Sequence, residues 1–398
     1  MISFFKRLLR IPYSFIRYYY SRYIKESLFS NVEVNNDYVL RKVSSFKESF
    51  YGYFNLPPDN DKGMILYCVP HRNRKSVDIC IKTDIGELII GNTKAFNWQQ
   101  GAMEQWGRKN HNLIYYNYFD SKNNNYETVI YDIHKKQEID RLPLPIYSIS
   151  PNEDYALSLN FERLAKMRPD YGYFCRRKYS LPPDSQDGIW RIDISTHTVN
   201  LIISIEQLKH ISPVPSMSGA SHKVNHIDIS PSGTRFMFLH RWVGPMGRFM
   251  RLYTANADGT NLNLLNGDKM TSHSYWISDE QIVSYCFTEK YGNAYVVFDD
   301  KTNRVFKLPG DLPKEDGHPS TYSKIMVTDT YPGHDRISKL FLYNLDDTMV
   351  FQLGRFYQPL KYTGTKRIDL HPKWGEKGDI FIESGHDGYR SLYMISKR

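Results

Sequence analysis

The feature that most limits what this chain can fold into is a strand–turn–strand unit returning every ~40–50 residues. HIDISPSGTRFMFLHRW (226–242) is followed by RLYTANADGTNLNLL (251–265), and SHSYWISDEQIVSYCF (272–287) by NAYVVFDDKTNRVFKL (293–308). HPSTYSKIMVTDTYP (318–332) precedes KLFLYNLDDTMVFQL (339–353), and LHPKWGEKGDIFIES (370–384) precedes SLYMISKR. Each run is short, rich in Tyr, Val, Ile and Phe, and bounded by turn chemistry, whereas helical periodicity is nearly absent after residue 30. Asp258-Gly259 and Asp346-Asp347 stand where an outer hairpin needs turn residues. Such a unit is a four-stranded antiparallel meander, the blade of a β-propeller.

The first half repeats the unit less strictly: GMILYCV with DICIKTDIGELII, NLIYYNYF with ETVIYDIHKKQEI, and SISPNEDYALSLN (148–160) with GIWRIDISTHTVNLII. The expectation is an all-β, seven-bladed propeller over 31–398, preceded by a short basic N-terminal helical segment, 1–30. Pattern alone leaves six and eight blades open. The last unit ends at Arg398 one strand short. A strand from within 36–50 is expected to complete it, since two unpaired sheet edges would otherwise face each other.

At 398 residues, 41% hydrophobic and 15% aromatic, the chain has material for one large repeat unit. No apolar run approaches the ~20 residues needed to span a bilayer. Cys68, Cys80, Cys175 and Cys286 are scattered, without zinc or disulfide spacing, which fits a reducing compartment. The net charge of +9 favours acidic partners. No nucleic-acid-binding signature accompanies it, which leaves an anionic glycan or an anionic lipid surface. The N-terminal stretch carries Lys6, Arg7, Arg10, Arg17, Arg22 and Lys25 among Phe4, Phe5, Tyr13, Phe15 and Tyr18–Tyr20. It has neither the unbroken apolar stretch nor the cleavage site of a secretory signal. It reads either as a helix lying on an anionic membrane or as a helix packed on the body with solvated cations. The corresponding location is cytoplasmic, peripheral at the inner membrane face.

Four histidines keep phase with the repeat. His226, His273, His318 and His371 are separated by 47, 45 and 53 residues, one blade each. All lie at the start of the innermost strand, so they ring the central channel and face one mouth. Four imidazoles there would make a metal site or a cationic cup for an anion; a repeated structural bond is the plainer alternative. Asp369, two residues before His371, shares its strand face. His240 and Arg241 end the second strand of the His226 unit and are expected near the same mouth, a solvated strand end being the alternative. NWQQGAMEQW (97–106), LSLNFERLAKMRPDYGY (157–173) and TDTYPGHD (328–335) break the blade pattern. Trp98, Gln99 and Gln100, with His226, are assigned as candidate substrate contacts.

HIDISPSG…FLHRW, SHSYW and DLHPKWGEKGDIFIESGHDG resemble the repeats of the oligogalacturonate lyase family and its TolB-like propeller relatives, over roughly 145–398. The resemblance implies a seven-bladed, carbohydrate-active propeller that cleaves uronic-acid oligosaccharides by β-elimination, assisted by a divalent cation, typically manganese. The cation acidifies the proton beside the uronate carboxylate. His273 and His371 match two of the family's ligands. Asp369 stands where the family has a further His, which preserves a ligand and favours a harder ion such as calcium. About Lys366, the chain has a cation where the family has a Gln ligand. With His318 from the phased series, the expected metal set is His273, His318, Asp369 and His371. His240, Arg241 and Arg251 fall in the segment resembling the substrate-facing region and are the catalytic candidates. A non-catalytic binding or scaffold propeller in surface-polysaccharide assembly is the alternative.

Overall fold

The structure is a computed structural model describing residues 15–25, 30–177, 179–267 and 269–398. Seven antiparallel sheets follow one another along the chain and close into a ring, so the fold is a seven-bladed β-propeller. Blade 1 covers 65–93, blade 2 105–142, blade 3 148–204, blade 4 221–266, blade 5 271–307, blade 6 320–357 and blade 7 373–397. Blade 1 has three full strands, and its inner edge is completed by a bridge between Phe50 and Cys68.

Turn chemistry sets the blades. In blade 4, Ser230-Pro231-Ser232-Gly233 joins the inner two strands. Gly233 takes φ +78° and its N–H donates to the Ser230 carbonyl at 2.9 Å, a conformation that costs a side-chain-bearing residue more. Between blades, inner-face apolar residues interleave: Leu157 and Ile189 of blade 3 share one buried cluster with Ile227, Phe236 and Phe238 of blade 4.

Ring closure uses the N-terminal side, as the missing strand requires. Tyr38–Lys42 pairs with Ser391–Lys397 as the outer strand of blade 7, from Tyr38 opposite Lys397 to Lys42 opposite Tyr393. A second closure has no counterpart in the repeat pattern: Val32–Val34 adds a fifth strand to blade 6, against Val350–Tyr357. Residues 15–25 are helical. Tyr18 anchors them, its hydroxyl 2.8 Å from that of Tyr357. The remaining basic residues of the N-terminal expectation, Lys6, Arg7 and Arg10, lie outside the described residues.

Two irregular segments occupy the channel. Residues 50–54 run through it, with Phe50, Tyr51, Tyr53 and Phe54 all buried. Between the second and third strands of blade 3, residues 160–187 form an insertion. It opens with helix α1 (Phe161–Met167), whose first N–H groups, of Glu162 and Arg163, are capped by the Asn160 side chain. The chain then turns over the channel and brings a fully buried Tyr171 ring within 6.2 Å of Tyr53. Gly172 permits this turn. A Cβ there would come within 2.2 Å of the Phe161 carbonyl and 2.3 Å of the Ala165 nitrogen.

Candidate functional site

The four phased histidines meet in the channel. Ring centroids are 5.5 Å apart for His226–His273, 4.0 Å for His273–His318 and 4.4 Å for His318–His371. Local irregularity aims them inward. His226 and His273 sit where the pairing of the inner two strands slips, between Asn225 and Asp228 and between Thr271 and Ser274. Such bulges re-aim side chains. His226 and His371 also adopt left-handed backbone, φ +53° and +44°, a conformation that costs a non-glycine residue some strain. The set lies inside the channel rather than at an open mouth, because Tyr53, Phe54 and Tyr171 fill the space around it. Tyr53 stacks on His226 at 5.3 Å, Phe54 lies 5.5 Å from both His273 and His318, and Tyr171 is 5.6 Å from His226.

Asp369 completes the group. One donor atom each from His318, Asp369 and His371 lies within 4.8 Å of the others, all three buried. Arg367 Nε donates to Asp369 Oδ2 at 2.8 Å, leaving Oδ1 without a partner. His318 Nδ1 bonds Asp329 Oδ1 at 2.9 Å, so its Nε2 is the free nitrogen, again without a partner. Both ring nitrogens of His371 and of His226 are unpartnered too. Unpaired buried polar atoms cost ~1–3 kcal/mol each, so their concentration at one point marks a place built for a ligand. Burial pushes His273 and His318 down to about 4, and pushes His226 and His371 well below the ordinary imidazole range. All four are therefore neutral at pH 7, as ligands must be. His273 Nδ1 is held by the Gly317 carbonyl at 3.2 Å and Ser272 Oγ at 3.1 Å.

The other sequence candidates divide. Arg241 projects from the second strand of blade 4 opposite Lys223, into a cavity whose walls also hold Arg168 and Arg248. Burial, reinforced by Arg168, lowers its guanidinium to about 10. His240 and Arg251 are directed elsewhere. His240 Nε2 is 2.9 Å from Nδ1 of His222, a histidine the spacing argument passes over, and both rings lie against Trp242. Arg251 donates to the Ile211 and Ser212 carbonyls at 2.9 and 2.8 Å, which fixes the loop after helix α2 (Ile205–His210). Strand alternation explains the split, since neighbours on one strand point to opposite faces.

Trp98 lines a separate cavity of about 640 Å³ with Phe96, Phe174 and Lys94. Gln99 and Gln100 are buried beneath it. Gln99 donates to the Arg367 carbonyl at 3.0 Å, and Gln100 to the Tyr147 hydroxyl at 2.6 Å. That hydroxyl in turn accepts the backbone N–H of His226 at 3.2 Å, so Gln100 positions the site from behind. Lys366 is exposed, its ammonium 6.0 Å from the Trp98 ring, and places no charge in the channel. Arg367 supplies the positive charge there instead. Tyr53, Tyr171, Asp329 and Lys223 escape sequence reasoning because none keeps phase with the repeat. Tyr171 and Asp329 nevertheless fall inside the pattern-breaking segments 157–173 and 328–335, and the aromatic run at 50–54 marks Tyr53; Lys223 has no such signal.

No family model and no curated protein matches the sequence. Solved structures do match. An oligogalacturonate lyase in complex with manganese aligns over 93% of this chain and 99% of its own, with TM-score 0.61 at 12% identity. TolB from Acinetobacter baumannii aligns over 74% of this chain and 64% of its own, with TM-score 0.42 at 14% identity. The β-propeller domain of the trilobed protease from Pyrococcus furiosus aligns over 75% and 80%, with TM-score 0.43 at 12% identity. The chain thus has the seven-bladed fold of the oligogalacturonate lyase over nearly its whole length, and the likeness extends to the fold alone.

Proposed function

We propose that this propeller cleaves a uronic-acid-containing glycan by metal-assisted β-elimination, using the channel cluster of His273, His318, Asp369 and His371. The observation that carries the reading is that ligand atoms of His318, Asp369 and His371 lie within 4.8 Å of one another, in a buried spot where imidazole nitrogens and a carboxylate oxygen are left without partners. The donor set fits a divalent transition ion. Imidazoles with one carboxylate suit first-row transition ions as a class, whereas calcium takes six to eight oxygens; manganese is the ion of the structurally similar lyase. Asp329 behind His318 is the kind of outer partner that fixes a ligating ring. When bound, such an ion supplies Lewis acidity to a uronate carboxylate and so acidifies the adjacent C–H.

The chain's own residues do the rest. Neutral His226, with both nitrogens free, accepts the proton from the carbon beside the carboxylate. The electron pair left behind forms the new C=C bond as the glycosidic C–O bond breaks. Tyr53, stacked on His226 with an unpartnered hydroxyl held in its protonated form by burial, donates to the departing oxygen. Arg241 offers its guanidinium to the substrate's charge. The test is incubation of manganese-loaded protein with a panel of acidic glycans, following the ultraviolet absorbance of the unsaturated uronate. A rise that disappears in His226→Gln supports the reading; no rise with any uronate glycan sinks it and leaves a glycan-binding scaffold.

A second observation favours a peripheral membrane position. On the helical segment 15–24, Phe15, Ile16, Tyr19, Tyr20, Tyr23 and Ile24 are all exposed, and Phe15–Tyr19–Tyr23 form a ladder with centroids 4.9 and 5.2 Å apart. Among residues 1–30 six cations accompany a single carboxylate. Apolar rings flanked by cations match an anionic bilayer surface. Flotation with phosphatidylglycerol vesicles, lost when Phe15, Ile16, Tyr20 and Ile24 are replaced by Ser, supports this position; unchanged flotation contradicts it.

A further inference from the structure

A cavity of about 480 Å³, whose Arg241, Arg168 and Lys223 also bear electrostatically on His226, has an unusual charge count. Arg168, Lys223, Arg241 and Arg248 line it, with Asp170 as its one carboxylate. That carboxylate is already engaged from outside the cavity, by Arg367 Nη1 at 2.5 Å, besides its contact with Arg168 at 3.5 Å. Lys223 is only 4% exposed and makes no hydrogen bond or ion pair among the described residues. It stands directly across the strand pair from Arg241, a like-charge opposition that destabilises a sheet. Arg241 spends one nitrogen on a long 3.5 Å bond to the Thr271 carbonyl, and its Nε has no partner. Burial, then Arg241 and Arg168, push the Lys223 amine down to about 6. Folding gains nothing from collecting these charges; a bound polyvalent anion would be stabilised by all of them.

We propose that this cavity binds a phosphate or diphosphate group. Three guanidinium cations, with a lysine amine that a bound anion would re-protonate, exceed what a single neutralised carboxylate can balance, and match a multiply charged oxyanion. Pro169 and Asp170 also line the neighbouring Trp98 cavity, so a glycan held by its phosphate in one can extend its sugars into the other. As the handle of the substrate, the phosphate rests on the proposed glycan chemistry; as a binding site, it does not.

The test keeps the two apart. Titration calorimetry on the full chain, in chelator and without divalent ions, uses pyrophosphate, inorganic phosphate and glucuronate. The expected order is pyrophosphate, then phosphate, then glucuronate, with pyrophosphate at least tenfold tighter than glucuronate. Lys223→Met and Arg241→Met should each lower pyrophosphate affinity about tenfold or more, while Lys290→Met, on the exposed rim of blade 5, leaves it unchanged. Thermal melts of the same variants verify folding. Glucuronate binding as tightly as pyrophosphate reassigns the cavity to carboxylates and overturns the proposal. So does absence of binding by all three probes, or binding that Lys290→Met reduces as much as Lys223→Met. Lyase activity does not enter any of these readouts.

Discussion

Replacing Lys223 by Met should make the protein more stable, and the size of the gain follows from the structure. An ordinary lysine ionises near 10.5, and in the folded chain Lys223 is driven down to about 6 by burial and by Arg241 and Arg168. At pH 7.5 the unfolded chain therefore holds this proton while most folded molecules have lost it. Giving it up three pH units below the ordinary value costs ~4 kcal/mol, at 1.36 kcal/mol per unit. Methionine has similar length, fills the same space and carries no charge, so it removes that cost. A gain of about 2–4 kcal/mol, over an unfolding entropy of ~2.1 cal/mol/K per residue, corresponds to a melting temperature higher by ~2–5 °C. The sign with pH is fixed. Between 6 and 10.5 the unfolded state binds more protons, so wild-type stability rises with pH relative to the variant, and the gap narrows towards pH 10 and levels off at its largest below 6. Differential scanning calorimetry of both proteins from pH 6 to 10 measures it. A variant that melts at or below wild type, or a gap that does not narrow as pH rises, refutes the claim that Lys223 is buried against its own charge.

Two further substitutions separate supporting residues from decoys. Asp329→Asn weakens the hold on His318 Nδ1, 2.9 Å away, and should reduce manganese affinity by roughly 10–100-fold with the fold intact, read by metal titration. His240→Ala strands His222 Nδ1 in a buried position and should cost ~1–3 kcal/mol in denaturant unfolding, yet leave metal affinity unchanged.

Much of the architecture was legible because a propeller writes its period into the chain. The blade spacing, the Ser230–Gly233 type of turn and the strand deficit at Arg398 each follow from local rules, and Tyr38–Lys42 fills that deficit within the expected window. The histidine phase was legible for the same reason: equivalent positions in a ring point at one axis. What the period cannot encode is anything used once. The aromatic run 50–54 and the loop carrying Tyr171 fill the channel through contacts between residues more than a hundred positions apart, so the site is enclosed where the repeat alone implies an open mouth. Side-chain direction was the second blind spot. His240 and Arg241 are adjacent in sequence, yet one faces His222 and the other the cationic cavity. Lys366 shows the same limit, since a one-residue shift hands its expected place beside Asp369 to Arg367.

The central claim is that His273, His318, Asp369 and His371 form a divalent-metal site. Manganese titration of chelator-stripped protein, followed by calorimetry, tests it most directly, comparing wild type with His318→Ala/His371→Ala. The account predicts one ion per wild-type chain and none in a folded double variant. Equal uptake by both proteins, or no uptake by wild type, contradicts it.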